Sequence, residues 1–308
     1  MPSAIDTDAI SAQLLLSGLN KSYSGSARKP LIHPRADETC RENDDYFLQH
    51  WPFPSEKSRE TFVKAGFGRV TCLYFPLARD DRIIFACKLL TILFLIDDIL
   101  EDMSLADGEA YNTHLMPLMC GDVLPNRDIP VEFLMYNLWE EMRAASPILA
   151  DGILEPTFTF MRAQTDKTRL SIKELGHYLV YRGRDVGKAL LSALMRFTMD
   201  LELTPEGASG DEVRASQLGH KEGSALCSGV KVLAEATNLD IAATKRLLQA
   251  MVEEWNQVHD RLTAEQLAAG CRPAVKLYMK GLEYQMSGNE LWSRTTLRYV
   301  GREAAASS

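Results

Sequence analysis

Four carboxylates occur within six residues at the end of a long apolar run, in the stretch FLIDDILEDMS that begins at Phe94. If the run forms one helix, Asp97 and Glu101 share a face, as do Asp98 and Asp102. The cluster is electrostatically unfavourable, because like charges repel and burial disfavours charged carboxyl groups. A hard divalent cation such as Mg²⁺, which prefers oxygen ligands and substrate phosphates, would stabilise it. The alternative is a solvated helix end where acidic residues terminate the apolar run.

Cationic side chains that could hold an anion occur later in the chain. Arg182, Arg184 and Lys188 lie in the stretch YRGRDVGK, and the planar guanidinium group of arginine matches phosphate oxygens. The alternative is a solvated helix start in which Arg184, Asp185 and Lys188 form local ion pairs. Arg298, close to the C-terminus, could bind an anion or only interact with the dipole of a last helical turn.

Aromatic residues are the third chemical component. Phe94 lies three residues before Asp97 and therefore on roughly the same helical face. Phe158, Phe160 and Trp292 fall on other predicted helices. Aromatic rings around an apolar cavity would stabilise a carbocation by cation–π attraction, but rings at such positions are most often simply core.

Other catalytic arrangements are not indicated. The six histidines show no metal-binding spacing, and no Ser/His/Asp set, Cys/His set or glycine-rich phosphate loop is recognisable. The six cysteines contain no C-x-x-C pair, which is typical of reduced thiols in a cytoplasmic protein.

The spacing of apolar residues predicts an all-α, single-domain protein without repeats. Residues 80–102 are predicted as a central helix that is apolar almost all round, with Asp80 as its N-cap. Gly108 and Gly121 are expected to bracket a mixed connection, and Pro130 to begin the next helix. Residues 70–76 are predicted as a helix or an irregular link. Further helices are predicted over residues 55–63, 130–145, 154–164, 170–181, 185–203, 241–262, 273–286 and 290–299.

Length and charge narrow the function further. The chain has 308 residues, 46% of them hydrophobic, which is ample for one large core. Its net charge of −8 argues against nucleic acid as a partner. The run over residues 83–96 is too short to span a membrane, and the first residues lack the pattern of a signal peptide. We therefore expect a cytoplasmic protein; a homodimer is left open.

Several long stretches resemble the fungal aristolochene synthases, which are class I sesquiterpene cyclases. They are FLIDDILEDMS, YRGRDVGKALLSALMRF, GHKEG and KGLEYQMSGNELWSRTTLRY, in that order along the chain. The resemblance implies a class I terpenoid-synthase helical bundle around a central active-site cavity, over residues 31–300. Residues 1–30 are expected to be a disordered tail, and residues 301–308 a C-terminal tail. Farnesyl diphosphate would be the substrate, and three Mg²⁺ ions would trigger departure of its diphosphate.

The resemblance also assigns roles to single residues. It implies that the metal ligands are Asp97, Asp98 and Glu101. The residues that bind the diphosphate would be Arg182, Lys188, Arg298 and Tyr299. The aromatic residues of the cavity would be Phe94, Phe160 and Trp292. Arginine donors would take up the negative charge that develops on the leaving group, and closure of the site would exclude water.

One motif of that family is absent. The family has a second metal motif, N-D-x-x-S-x-x-x-E, and Glu212 matches only its glutamate, because Thr204 and Ala208 stand where asparagine and serine are expected. The connection between Met199 and Glu212 is shorter than the family pattern by roughly twenty residues, enough for a helix of about 30 Å. Glu212 also fits a capping box that begins at Ser209.

Four functional hypotheses follow. The first is a working sesquiterpene cyclase that gives aristolochene or a related bicyclic hydrocarbon. The second is a catalytically impaired relative, or a mis-spliced product, that keeps the fold without the second metal motif. A chain-elongating prenyltransferase would need a second aspartate-rich motif, which the sequence lacks. A helical interaction protein would leave the Asp97 cluster and Arg182 without a role.

Overall fold

The computed structural model describes residues 28–202 and 229–296 of the chain. Within these two ranges every regular element is a helix, which confirms the all-α prediction. In chain order the helices are α1 (Ala36–His50), α2 (Glu56–Ala65), α3 (Phe67–Tyr74), α4 (Ile83–Glu101), α5 (Leu105–Cys120), α6 (Pro130–Ala145), α7 (Pro147–Gln164), a 3₁₀ helix (Lys167–Leu170), α8 (Leu175–Asp185), α9 (Lys188–Met199), α10 (Gly229–Thr237), α11 (Ile241–Ala268) and α12 (Pro273–Thr295).

Helix α4 lies at the centre of the bundle. Ten of its nineteen residues are buried, from Ile83 to Ile96, and only its last turn carries acidic side chains. It packs against α1, α3, α6 and α9. A helix that is apolar on all sides must be covered on all sides. The prediction of a central helix is therefore confirmed, and the packing fixes the position of the carboxylates at its end.

The start of α4 differs from the prediction. Arg82, and not Asp80, is the N-cap residue, and its side chain makes no capping hydrogen bond. The Arg82 guanidinium is buried instead against the end of α9, where it donates to the Phe197 carbonyl oxygen at 2.8 Å and pairs with Asp200 at 3.0 Å. The tertiary contact to α9 thus determines where the helix begins.

The expected connection between Gly108 and Gly121 is a helix, α5. Ser104 caps its N-terminus by accepting from the Asp107 backbone N–H at 3.2 Å, and Gly121 ends it in the left-handed conformation with φ +79°. Gly108 lies inside the helix, at a position where a Cβ would stand only 3.1 Å from a methyl carbon of Leu100. This glycine allows a close helix approach and does not break the element.

The predicted boundaries around α8 and α9 were also wrong. A 3₁₀ turn occupies Lys167–Leu170, α8 begins only at Leu175, and α9 begins at Lys188 after a break at Gly187, which has φ +69°. At the other end of the chain, the two helices predicted over residues 273–286 and 290–299 are one continuous helix as far as Thr295.

The predicted tails lie almost entirely outside the described residues. Arg28, the first described residue, donates to the Asn256 carbonyl oxygen of α11 at 3.0 Å and pairs with Asp260. The boundaries of the helical domain expected over residues 31–300 stay predictions. Among the residues that the structure describes, no helix is both long enough and apolar enough to cross a membrane.

Candidate active site

The end of α4 presents Asp97 to the end of α7. Asp97 is half-buried, and its Oδ1 atom accepts a hydrogen bond from Nε2 of Gln164 at 3.0 Å. Gln164 is 5% exposed, and its Oε1 atom is buried without a hydrogen-bond partner among the described residues. The sequence-based prediction missed Gln164, although it follows Phe160 by four residues and so shares its helical face.

The other acidic residues of the stretch differ from Asp97 in their exposure. Asp98, Glu101 and Asp102 are exposed. Within residues 28–202 and 229–296, no three histidine, cysteine or acidic side chains are arranged to hold a metal ion. The donor set that fits a divalent cation on this side is therefore Asp97, beside which the unpartnered Oε1 atom of Gln164 offers a further oxygen.

Phe94 and Trp292 belong to one aromatic wall beside the acidic end of α4. Phe94 stacks on Phe67 with a centroid separation of 4.6 Å and an interplanar angle of 11°. Trp292 of α12 is tilted against Phe94 at 6.1 Å. Tyr74 packs beside the same residues and donates its hydroxyl hydrogen bond to Oδ1 of Asn289 at 2.7 Å. Phe67 and Tyr74 were not predicted, since their short helix has a strand-like composition.

Phe160 lies on the opposite helix, one turn before Gln164. Phe94 and Phe160 are both partly buried against the same hydrophobic core. A Cβ at Gly187 would stand 3.3 Å from a ring carbon of Phe160, so this ring also packs against the break between α8 and α9.

Arg182 forms an ion pair with Asp185 in the last turn of α8. The Tyr181 hydroxyl donates to the other carboxylate oxygen of Asp185 at 3.0 Å. Burial opposes the charged form of Arg182, but the negative charge of Asp185 outweighs this effect and raises the pKa of the guanidinium group. Burial and the same carboxylate raise the pKa of Tyr181. Asp185 therefore forms a local ion pair, as the alternative interpretation of this stretch expects, and Arg182 is one of its partners.

Arg184 ties α8 to the end of α7. Its guanidinium group lies 3.4 Å from Oδ2 of Asp166, two residues after Gln164. This ion pair therefore joins the segment that carries Arg182 to the segment that carries Gln164. Arg184 itself is exposed and serves this connection.

Lys188 is the first residue of α9. Its N-cap residue is Gly187, which has no side chain that could accept from the first backbone N–H groups. A cation at a helix N-terminus opposes the helix dipole, whereas an anion bound there is favoured by the dipole and by the first backbone N–H groups. Both Lys188 and the start of α9 are thus suited to an anionic ligand. Glu212, Arg298 and Tyr299, the remaining predicted site residues, lie outside the described residues.

The comparisons with known proteins identify the family. A family model described as "Terpene synthase family 2, C-terminal metal binding" matches residues 88–217. An aristolochene synthase from Penicillium roqueforti is 58% identical over 293 residues, covering 87% of this chain and 86% of the relative. The chain belongs to the aristolochene synthase family of terpene synthases. An aristolochene synthase from Aspergillus terreus is 52% identical, covering 89% of this chain and 93% of the relative.

The fold agrees with a crystal structure from the same family. The aristolochene synthase of Penicillium roqueforti superimposes with a TM-score of 0.81 at 57% identity, and the match covers 89% of this chain and 100% of that one. This likeness confirms the class I helical fold inferred for the aristolochene synthase family.

The alignments also show that this chain is shorter than its relatives internally. A share of 87% of 308 residues is about 268 residues, whereas the alignment with the Penicillium roqueforti aristolochene synthase runs over 293, so about 25 positions face no residue here. The Aspergillus terreus aristolochene synthase gives about 23 such positions, since 89% of the chain is about 274 residues against 297 aligned. This agrees with the short connection predicted between Met199 and Glu212.

Proposed function

We propose that this protein is a sesquiterpene cyclase that converts farnesyl diphosphate into diphosphate and a cyclic hydrocarbon, aristolochene or a related bicyclic product. The observation that best supports the proposal is the 58% identity to an aristolochene synthase over 87% of this chain. The substrate would be used by a cytoplasmic enzyme, in keeping with the free cysteines of the described residues.

Two groups of side chains would bind the two parts of the substrate, the diphosphate and the hydrocarbon chain. Arg182, Lys188 and the N-terminus of α9 would hold the diphosphate, since guanidinium and backbone N–H groups match its oxygens. Arg182 would have to exchange its pairing with Asp185 for pairing with the diphosphate. Arg298 and Tyr299 are proposed as further donors to the same group.

The aromatic wall would receive the hydrocarbon chain. Phe94, Phe160 and Trp292 offer ring faces whose negative quadrupoles stabilise a cation, and their packing keeps water from it. We propose Asp97 as the metal ligand on the α4 side. Asp98 and Glu101 are proposed as further ligands, which would have to move toward the metal ion. Mg²⁺, when bound there, would supply Lewis-acid stabilisation of the leaving oxygens.

The test is product analysis with the full chain. Incubation with farnesyl diphosphate and Mg²⁺, followed by gas chromatography, should give a hydrocarbon, and Asp97→Asn should lower its yield by about tenfold or more. Glu109, an exposed acidic residue of α5, provides the matched control as Glu109→Gln. A folded protein that yields no hydrocarbon would contradict the proposal.

A second candidate is a fold-retaining protein with impaired metal binding, natural or produced by mis-splicing. It is favoured by the 23 to 25 alignment positions without a residue here and by the missing second metal motif. Fewer than the three Mg²⁺ ions of the family would then bind. Comparison of transcript and genomic DNA between the codons for Leu203 and Glu212 decides the origin: a skipped exon encoding an N-D-x-x-S stretch indicates mis-splicing, and an uninterrupted gene indicates a natural loss.

A further inference from the structure

Gln164 is a buried amide whose two polar atoms have unequal surroundings. It lies at the last position of α7, is 5% exposed, and donates from Nε2 to Oδ1 of Asp97 at 3.0 Å. Its Oε1 atom is buried and accepts no hydrogen bond from the described residues. A buried carbonyl oxygen without a partner is unfavourable, so a site that keeps one invites an explanation by function.

The chemistry of the contact fixes the orientation of the amide. An ionised carboxylate only accepts hydrogen bonds, so the NH₂ group of Gln164 must face Asp97. Oε1, which is bonded to the same carbon, therefore lies beside the carboxylate and is free to accept. A hydrogen-bond donor to Oε1 must therefore lie close to the Asp97 carboxylate. A water molecule bound to a cation at Asp97 would be such a donor.

We propose that Gln164 is a positioning residue of the divalent-cation site, in which Nε2 holds the Asp97 carboxylate and Oε1 accepts a hydrogen bond from a water ligand of the cation. The proposal rests on the proposed function to the extent that a cation binds at Asp97. Mutation of a partner that orients a metal-binding carboxylate typically lowers metal affinity by about 10- to 100-fold, because the partner holds the ligand in the orientation that binds. The role concerns the cation and its water, and Gln164 itself touches no reacting atom.

Asn112 provides a matched control within the same chain. It is 1% exposed, donates from Nδ2 to the Met161 carbonyl oxygen at 2.8 Å, and has a buried Oδ1 atom without a partner among the described residues. It joins α5 to α7 as Gln164 joins α7 to α4. The difference is that Asn112 donates to a backbone carbonyl and not to a carboxylate.

The experiment measures cation binding by titrating Mg²⁺ into the full chain with inorganic diphosphate present. Gln164→Met, which keeps the length of the side chain but removes both polar atoms, should weaken cation affinity by about tenfold or more, whereas Asn112→Leu should leave it within about twofold. In an Asp97→Asn background, Gln164→Met should cause a smaller loss than in the wild type, since the carboxylate that Nε2 holds is gone. With Mn²⁺ as the probe, Gln164→Met should also change the proton relaxation of the cation-bound water, which a purely structural role would not alter.

The outcomes separate the two proposals. Equal cation affinity in the wild type and in Gln164→Met, together with a lower unfolding temperature, would overturn the role of Gln164 and leave the proposed function intact. A wild-type chain that binds no cation would overturn both. If Gln164→Met does not fold, Gln164→Asn, which keeps the amide but withdraws it from Asp97, is judged by the same affinities.

Discussion

Arg182 and Asp185 neutralise each other within one helical turn, at the side of the site where an anion is expected. The pair is mostly buried, with side-chain exposures of 21% and 17%, so a surface ion pair is not an adequate description. An incoming diphosphate has to compete with Asp185 for the same guanidinium. The geometry of the fork, and not only its positive charge, then decides the affinity, because a carboxylate and a phosphate both use two oxygens.

Arg182→Lys tests this point at the level of one side chain. Lysine keeps the charge but loses the planar fork, so the affinity for Mg²⁺ with inorganic diphosphate should fall about tenfold, measured by calorimetry. Arg162→Lys is the matched control, since Arg162 is exposed and pairs with Glu155 on the surface of α7. An equal loss in the two variants would contradict a specific role for Arg182.

At the scale of elements, the sequence identified the helices better than their ends. The apolar run of α4 and the start of α6 at Pro130 were predictable, because periodicity and helix-start chemistry are local. The prediction of separate helices over residues 273–286 and 290–299 left Gly288 between them, yet it lies inside α12. Its position is explained only by α3, against which α12 packs. Contacts between distant segments therefore decide where a glycine ends a helix and where it permits a crossing.

Gly288→Ala should disrupt this crossing. A Cβ at Gly288 would stand 2.4 Å from the backbone oxygen of Leu73, which cannot move without shifting α3. We expect a loss of about 2–3 kcal/mol in the free energy of unfolding, measured with urea. Gly152→Ala in α7, where a Cβ meets nothing within 4 Å, should instead add about 0.5–1 kcal/mol. A Gly288→Ala protein as stable as the wild type would show that α3 and α12 can shift to accommodate the methyl group without loss of stability.

At the scale of the whole molecule, the site is assembled from helices far apart in sequence. The aspartate stretch and Arg182 could be found from residue types and spacing, and the resemblance gave them roles. Gln164 and Phe67 could not be found in that way, since a single glutamine or phenylalanine has no distinctive pattern. Their importance depends on which helix faces which, and that is decided by packing around α4.

The same packing buries His33 against the end of α3 and the loop before α4. His33 is 1% exposed; its Nε2–H donates to the Ala78 carbonyl oxygen at 3.1 Å, and its Nδ1 accepts from the Arg35 backbone N–H at 3.2 Å. This arrangement requires the neutral ring, because a proton on Nδ1 would face another donor. Burial lowers the pKa of His33, while the Ala78 carbonyl and Asp80 oppose the shift without cancelling it.

The lowered pKa makes stability depend on pH in a defined direction. The unfolded chain takes up the proton near the ordinary histidine value of about 6.5, before the folded chain does, so the free energy of unfolding falls as pH drops below that value. His259 has a pKa lowered by burial and acts in the same direction, whereas burial raises the pKa of Asp44 to about 6, which acts in the opposite one.

His33→Gln keeps a donor for the Ala78 carbonyl but cannot titrate. Urea unfolding at about pH 7 and about pH 5 should therefore show a smaller pH-dependent loss in His33→Gln than in the wild type. His177→Gln, at an exposed histidine, is the control; identical pH dependence in the wild type and in His33→Gln would show that His33 is protonated equally in both states.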